Sequence, residues 1–261
     1  MSKITFIGTG GGRFATIFQH RKTGGIYIAE KGLLMHVDPG PGALVEMYAL
    51  DLNPTQTDVI FVSHAHPDHY NDAEILIEAM TMGGKIKRGM LIGSESVIEG
   101  VNNYRPISFY HKSLVSDVVV AKPGKKIIVK DFEMSITPAI HSDETTVGFQ
   151  INLSSGKLSY TSDTQIFDEL ITAHRGCRVL IVCLTRPLNG KIPFHLSTED
   201  AAKLIEGVKP EVAILTHMGL KTIPKAAEQA NWISEKTGIP TISAFDGMRL
   251  YMEDKIEVKK H

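Results

Sequence analysis

Two cysteines in 261 residues leave no room for a disulfide framework. Cys177 and Cys183 flank the apolar stretch Arg178-Val179-Leu180-Ile181-Val182 and are expected as core thiols. Long hydrophobic runs are missing as well, so no segment reaches the length that a membrane-spanning helix needs. No basic region leads into Ile4-Thr5-Phe6-Ile7, and the expected location is the cytoplasm, away from membranes. Charge of one sign is not in excess: 28 basic and 29 acidic residues give a net charge of -1. The chain therefore has no global attraction for nucleic acid or anionic lipid, although a local basic patch stays open. A ligand has to be recruited by a site. Linkers, low-complexity tracts and repeats of fixed period are absent, and this length can bury one large core. Residues 1–261 are accordingly read as a single domain, and self-association into a homo-oligomer stays open.

What is present is a concentration of metal-binding chemistry in His64-Ala65-His66-Pro67-Asp68-His69, after the apolar run Val59-Ile60-Phe61-Val62. Histidine and aspartate are seldom buried without a partner, so packing does not explain three imidazoles and a carboxylate within six residues. A helix-capping loop would need one Asx residue and no histidines. A strand ending near Ser63 puts His64 and His66 on one side by its two-residue period. Pro67 then breaks the strand, and a helix is expected to begin near Asn71 or Asp72, leaving Asp68 and His69 to face a second ion.

The remaining chain alternates strands and helices, the pattern of a layered α/β fold. A first strand, Lys3 to Ile7, runs into Gly8-Thr9-Gly10-Gly11-Gly12-Arg13. A dinucleotide-binding turn would need its third glycine at Arg13 and a helical pattern afterwards, and neither is found. The glycines are better suited to a tight turn and a close approach to another segment. A hairpin of residues 26–29 and 33–37 ends at Asp38, a carboxylate placed to orient a ligand imidazole. Helices are expected over 43–50 and 73–82, with a strand at Leu91-Ile92. From 94 to 121 the pattern loosens, and Tyr104, Phe109 and Tyr110 there could wall a substrate or anchor the loop. Strands over 126–129, 134–140, 146–153 and 157–161 read as an antiparallel sheet, with His141 after the second and Asp163 after the fourth. Helix 164–173, strand 179–184, helix 197–207, strand 212–216, helix 221–237 and two short strands complete the chain. His217 follows strand 212–216 as His64 follows its own. His195 precedes Ser197-Thr198-Glu199-Asp200, a capping-box pattern.

Seven residues at strand ends thus form one candidate ligand set, large enough for two ions. A natural division puts His64, His66 and His141 on one ion and Asp68, His69 and His217 on the other, with Asp163 between them. Zinc is the default for a site rich in imidazole, and manganese or iron stay open.

On these pieces the chain resembles the metallo-β-lactamase-fold hydrolases: the motif His64 to His69, then His141, Asp163 and His217 in that order. The resemblance implies a four-layered αβ/βα sandwich with a dinuclear site in the cleft between its two sheets. Ile4 to Gly11, His195 upstream of His217, and Phe245-Asp246-Gly247-Met248 are similar to the phosphodiesterase branch, which includes the tRNA 3′-processing endonuclease and a cyclic-phosphate phosphodiesterase. Two departures count. Only 21 residues separate His141 from Asp163, leaving no counterpart of the endonuclease's tRNA-gripping arm. The acidic residue which that branch carries after the next strand is replaced around Cys183 to Arg186. The resemblance therefore implies a small phosphodiester, cyclic or nucleotide-like, rather than structured RNA. Hydrolysis would proceed by a metal-bridging hydroxide, with Asp68 and His195 as catalytic groups and His195 giving a proton to the leaving oxygen. Arg186 is a candidate phosphate contact. A hydrolase of lactones, thioesters or amides, and a di-iron redox or sensing protein, are the competing expectations.

Overall fold

Val59–Val62 and residues 179–184 of the strand Val179–Arg186 are unbroken apolar runs because each is buried on both faces. In the computed structural model, which describes residues 1–101 and 103–260, their side chains sort by the strand period. Val59 and Phe61 join one core while Ile60 and Val62 join a second. Val179, Ile181 and Cys183 join that first core, and Leu180, Val182 and Leu184 a third. The shared core lies between two sheets, where Phe61 and Phe149 meet with ring centroids 4.9 Å apart. Helices Ala43–Ala49 and Ala73–Met80 cover the outer face of one sheet. Asp168–His174, Thr198–Val208 and Ala226–Thr237 cover the other. This is the expected four-layered αβ/βα sandwich.

Among the described residues each sheet has eight strands. The first runs Ile256–Lys259, Arg249–Met252, Ser2–Phe6, Ile26–Glu30, Leu33–Val37, Val59–Val62, Met90–Gly93 and Asp117–Val120. The second runs Thr241–Ser243, Val212–Thr216, Val179–Arg186, Gly156–Tyr160, Val147–Leu153, Phe132–Pro138 and Lys126–Val129, with the two-residue strand Leu196–Ser197 paired beside Val179–Arg186. Leu33–Val37, Val59–Val62 and Met90–Gly93 are parallel neighbours, and so are Gly156–Tyr160, Val179–Arg186 and Val212–Thr216. Their carboxyl ends carry Asp38, His64, Asp163 and His217. The glycine turn closes the cleft between the sheets: Gly10 bridges Met218, with Gly11 N–H donating to Met218 O at 3.1 Å.

Several local expectations are corrected. Proline lacks only an N–H that a first helical turn leaves unpaired, so Pro67 opens the short helix Pro67–Tyr70 instead of delaying it to residue 71. A helix also follows the glycine run, Arg13–Phe18. Phe14, Ile17 and Phe18 have helical spacing, but six residues are too few to show a period. The helix expected from Thr164 begins at Asp168, because Thr164 and Gln165 are held by Ile140: Ile140 N–H donates to Thr164 Oγ1 and Gln165 N–H to Ile140 O, both at 3.0 Å. The helix expected from Lys221 starts at Ala226, after a single 3₁₀ turn at Ile223–Lys225. The loose stretch 94–121 contains the short helices Glu95–Ile98 and Phe109–Leu114 before its edge strand. Both cysteines are buried free thiols.

Candidate metal centre

The strand before the motif ends at Val62, so His64 and His66 converge through a loop and not by extending the strand. Asp38 builds that loop. Its Oδ1 accepts the Ser63 N–H at 2.6 Å, and its Oδ2 accepts Ser63 Oγ–H and Tyr160 O–H, each at 2.7 Å. The same oxygen lies 2.9 Å from His69 Nδ1, which turns Nε2 of that ring toward the cleft. Asp38 thus orients an imidazole, as its place in the sequence suggests. Asp143 holds the loop from the other side, accepting the Ala65 N–H at 3.0 Å. Asp38, Ser162, Phe194 and His217 all hold positive φ. Strained backbone gathered at strand ends is a mark of a site whose geometry is imposed by its surroundings.

Two clusters result. Nε2 of His64, Nδ1 of His66 and Nε2 of His141 converge, with nitrogen separations of 2.9 Å and 3.1 Å to His66. His141 has its Nδ1 engaged by Phe194 O at 2.9 Å, so only Nε2 faces the cluster. Nε2 of His69 lies 3.0 Å from Nε2 of His217, which lies 3.2 Å from Asp68 Oδ2. Asp163 stands between them, its Oδ2 3.8 Å from Nε2 of both His69 and His141 and its Oδ1 3.1 Å from His217 Nδ1. Among five overlapping three-donor groups that could hold an ion, two are the groups of the division expected from the sequence, and the other three all include Asp163. Facing lone pairs at such distances repel unless a cation sits between them. Donors about 2.0–2.1 Å from a tetrahedral zinc lie about 3.3 Å apart, close to the spacings observed. The donor set therefore fits divalent ions.

Charge in the site is balanced locally. Burial opposes the charged form of His69, but Asp68, Asp38 and Asp163 outweigh it and push the imidazole up to about 10. A cation is wanted here, and a proton is the simplest one. Burial acts the same way against Asp68, yet His69 and His217 hold its carboxyl far below the ordinary range. Cys183 is also near Asp163 and His217. Burial raises its thiol well above the usual value, and the S–H, 3.5 Å from Tyr160 Oη, is a poor donor to a metal.

His195 lies beside the first cluster, its ring centroid 5.0 Å from that of His141, and with His141 and Asp163 it forms a further group that could hold an ion. Its Nδ1 is 3.8 Å from Asp163 Oδ2 and is buried with no hydrogen-bond partner. Burial lowers its pKa, with Asp163 opposing. The capping box at Ser197 and Asp200 is present and fixes the helix that follows. His195 faces a cavity of about 680 Å³ over the clusters, walled by Phe14 and Ile17 and floored by His66, Asp68 and Asp163.

A family model described as "Beta-lactamase superfamily domain" matches residues 35–218. The chain belongs to that family. Over 251 residues it is 43% identical to the uncharacterized protein MJ1374 of Methanocaldococcus jannaschii, covering 95% of this chain and 94% of the relative. It is 27% identical to ribonuclease Z of Thermococcus gammatolerans over 51% of this chain, a match spanning only 41% of that enzyme's length. Among solved structures, the metallo-β-lactamase-fold protein YhfI of Bacillus subtilis superposes with a TM-score of 0.79 at 19% identity, covering 95% of this chain and 98% of YhfI. A diphosphatase of the PhnP family gives 0.71 at 17% identity, covering 98% and 100%. These likenesses place the chain in the metallo-β-lactamase fold.

Within that fold the cavity wall is what the sequence reading missed. Tyr104, Phe109 and Tyr110 do not line the cavity, and His111 pairs with Glu74 at 3.1 Å and Glu78 at 3.4 Å, anchoring its segment to helix Ala73–Met80. The wall comes from the helix Arg13–Phe18 instead. Arg186 does not reach this cavity; it lines the one next to it.

Proposed function

We propose that residues 1–261 form one domain that hydrolyses small phosphodiesters with two divalent ions, zinc by default. The observation that carries this reading is the pair of three-donor clusters beneath an open cavity, with His195 held on its wall outside both. His64, His66 and His141 would hold one ion, Asp68, His69 and His217 the other, and Asp163 would serve both. The ions, when bound, supply an activated water and neutralise charge that develops on the phosphoryl oxygens. The chain's residues do the rest. Asp68, fixed by the Gly12 N–H at 2.7 Å, accepts a proton from the attacking water. The new bond joins water oxygen to phosphorus, and the bond to the leaving oxygen breaks. His195, in the imidazolium form that Asp163 favours and burial opposes, gives that oxygen its proton and is left neutral; an alkoxide needs that proton and an aryloxide hardly does. Phe14 and Ile17 keep the organic part of the ester against an apolar wall and displace water. Hydrolysis at phosphorus is also what the names of a relative, ribonuclease Z, and of a structural neighbour, a PhnP-family diphosphatase, describe.

The test is a panel of nitrophenyl phosphodiesters, phosphomonoesters, lactones and thioesters, offered to protein whose metal content has been measured. Diesters should be cleaved faster than the matching monoesters. A clear preference for lactones or thioesters would replace this reading with an acyl hydrolase. Tightly held iron without turnover of any substrate would replace it with a redox or sensing role.

A further inference from the structure

The clustered donors and the lining of the cavity over them all lie outside Phe245-Asp246-Gly247-Met248, although that segment is one of those resembling the phosphodiesterase branch. Both oxygens of Asp246 are spent on the glycine turn instead. Oδ1 accepts the Thr9 N–H at 2.9 Å and the Thr9 Oγ1–H at 2.6 Å, while Oδ2 accepts the Lys22 N–H at 2.9 Å. Thr9 and Lys22 are the two ends of one excursion of the backbone, which leaves strand Ser2–Phe6 and returns to strand Ile26–Glu30. One carboxylate therefore staples both ends. Gly10 N–H donates to Lys22 O at 2.9 Å and lays the two legs side by side, so closely that a Cβ on Gly10 would stand 2.9 Å from Arg21 O. Arg21 crosses between the legs: its Nη1 donates to Thr9 Oγ1 at 3.1 Å and to Ala244 O at 2.7 Å, and lies 3.4 Å from Met218 Sδ.

What the stapled excursion carries is the support of the second cluster. Gly12 N–H donates to Asp68 Oδ2 at 2.7 Å, and Gly11 packs against the ring of His217. Met218, the residue after His217, is held by the turn on both sides: its N–H donates to Thr9 O at 2.8 Å and its carbonyl accepts the Gly11 N–H. The helix Arg13–Phe18 buries Ala15 alone, so packing of the excursion itself does little to fix it. The first cluster is held differently. His64, His66 and His141 bond to one another, to Ser63 Oγ and to Phe194 O.

We propose that Asp246 is a positioning residue for the second ion: through the stapled turn it sets the places of Asp68 and His217, and it touches neither metal nor substrate. Hydrogen bonds to an ionised carboxylate belong to the stronger class, and groups that orient metal ligands contribute about 10- to 100-fold to metal affinity. The proposal rests on the ligand sets of the proposed function and is independent of ester hydrolysis.

Chelator competition with zinc reads the two affinities of the purified protein, and His66→Ala and Asp68→Ala, each lacking a donor of one cluster, assign them. Asp246→Ala should weaken the ion at Asp68, His69 and His217 by about 10- to 100-fold and leave the other within about threefold. Thr9→Val removes the hydroxyl between Arg21 and Asp246 with little change of volume, should act in the same direction, and keeps the test decisive if Asp246→Ala does not fold. Thr9→Ser, which retains the hydroxyl, should return the affinity toward the wild-type value. Val129→Ala is the control, a change in the shared core on the strand Lys126–Val129 that lowers stability in urea without touching the staple, and it should leave both affinities unchanged. Second-ion affinity kept within about threefold in both Asp246→Ala and Thr9→Val, an equal weakening of the two ions, or an equal loss in Val129→Ala would reduce Asp246 to a support of the fold. A wild-type protein binding fewer than two zinc ions would reject the ligand sets themselves, and the positioning role with them.

Discussion

Gly11→Ala gives a sharp test of the metal centre because the substitution adds one carbon far from the motif. That carbon would meet Cγ, Cδ2 and Nε2 of His217, roughly 1 Å or more inside the ~3.5 Å at which carbon atoms ordinarily touch. The neighbour in the way is a ring held by its own contacts, with Thr185 Oγ1 3.2 Å from Nδ1. Either the ring or the turn must move by about that 1 Å. Metal–ligand distances tolerate only about 0.2 Å, so the donor at His217 Nε2 would be lost to one ion. Disturbing a group that merely supports a ligand lowers affinity about 10- to 100-fold, and losing a ligand should cost at least the upper figure, about 2.7 kcal/mol. The control is Gly12→Ala. There φ is 76° and the added carbon has only Thr185 Cγ2 at 3.6 Å, an ordinary contact. With ψ at 154° this backbone is in a region essentially reserved for glycine, so that variant should lose about 1–3 kcal/mol of stability while disturbing metal affinity less than Gly11→Ala, because the added carbon touches no ligand ring. Competition with a chelator of known affinity measures both. A Gly11→Ala protein that binds two ions within about threefold of the wild type would refute the close approach and the placing of His217 as a ligand.

Asp163→Ala should lose at least one ion, since its Oδ2 is equidistant from donors of the two clusters at 3.8 Å; elemental analysis showing two retained ions would remove it as the shared ligand. His195→Ala should keep both ions and lower turnover of alkyl phosphodiesters by about 10² to 10⁴, but much less for nitrophenyl esters. Equal losses on both would make His195 structural. Stability of the metal-free protein should fall between pH 7 and pH 5, partly through His36 and His174, which burial pushes down to about 4 and about 3. The sign follows from the unfolded chain, whose imidazoles take up protons below about 6.5 while the folded ones do not, so stability present above 6.5 is lost as pH falls, by about 2 kcal/mol per histidine at pH 5. Urea unfolding of His174→Leu should show a smaller drop over that range than the wild type, and an undiminished drop would count against the buried neutral imidazole.

How far the sequence reveals this site depends on the distance over which each signal acts. His64, His66, Asp68 and His69 are visible because their chemistry is crowded into six residues. His141, Asp163 and His217 are visible only as polar residues at the ends of apolar strands, and their convergence follows once those strands lie in one sheet that faces the sheet carrying the motif. Asp38 is legible for the same reason, and it orients His69. Boundaries fared worse where one residue serves two roles. Pro67 ends a strand and also opens a helix, and Thr164 and Gln165 look helical yet are tied to Ile140. The wall of the cavity was not legible at all, since RFATIF is too short to show a helical period and nothing local marks it as facing residues 50 to 200 positions away.

The glycine turn leads to the expectation that metal retention and substrate choice are altered by different substitutions although they share one segment. Gly11 makes room for His217, and Gly12 N–H donates to Asp68 Oδ2, so this short stretch touches two donors of the same cluster. One residue further on, the chain turns into the helix that presents Arg13 to both cavities and Phe14 to both walls. Ala15 is the helix's buried residue, while Phe14, Ile17 and Phe18 are each more than half exposed, so the helix is fixed to the body by little beyond its first turn. Substitutions at Gly11 act on the ligand geometry, which tolerates almost no displacement. Substitutions from Arg13 onward act on a short helix that contributes no donor, and they should change which ester is accepted while the ions stay bound.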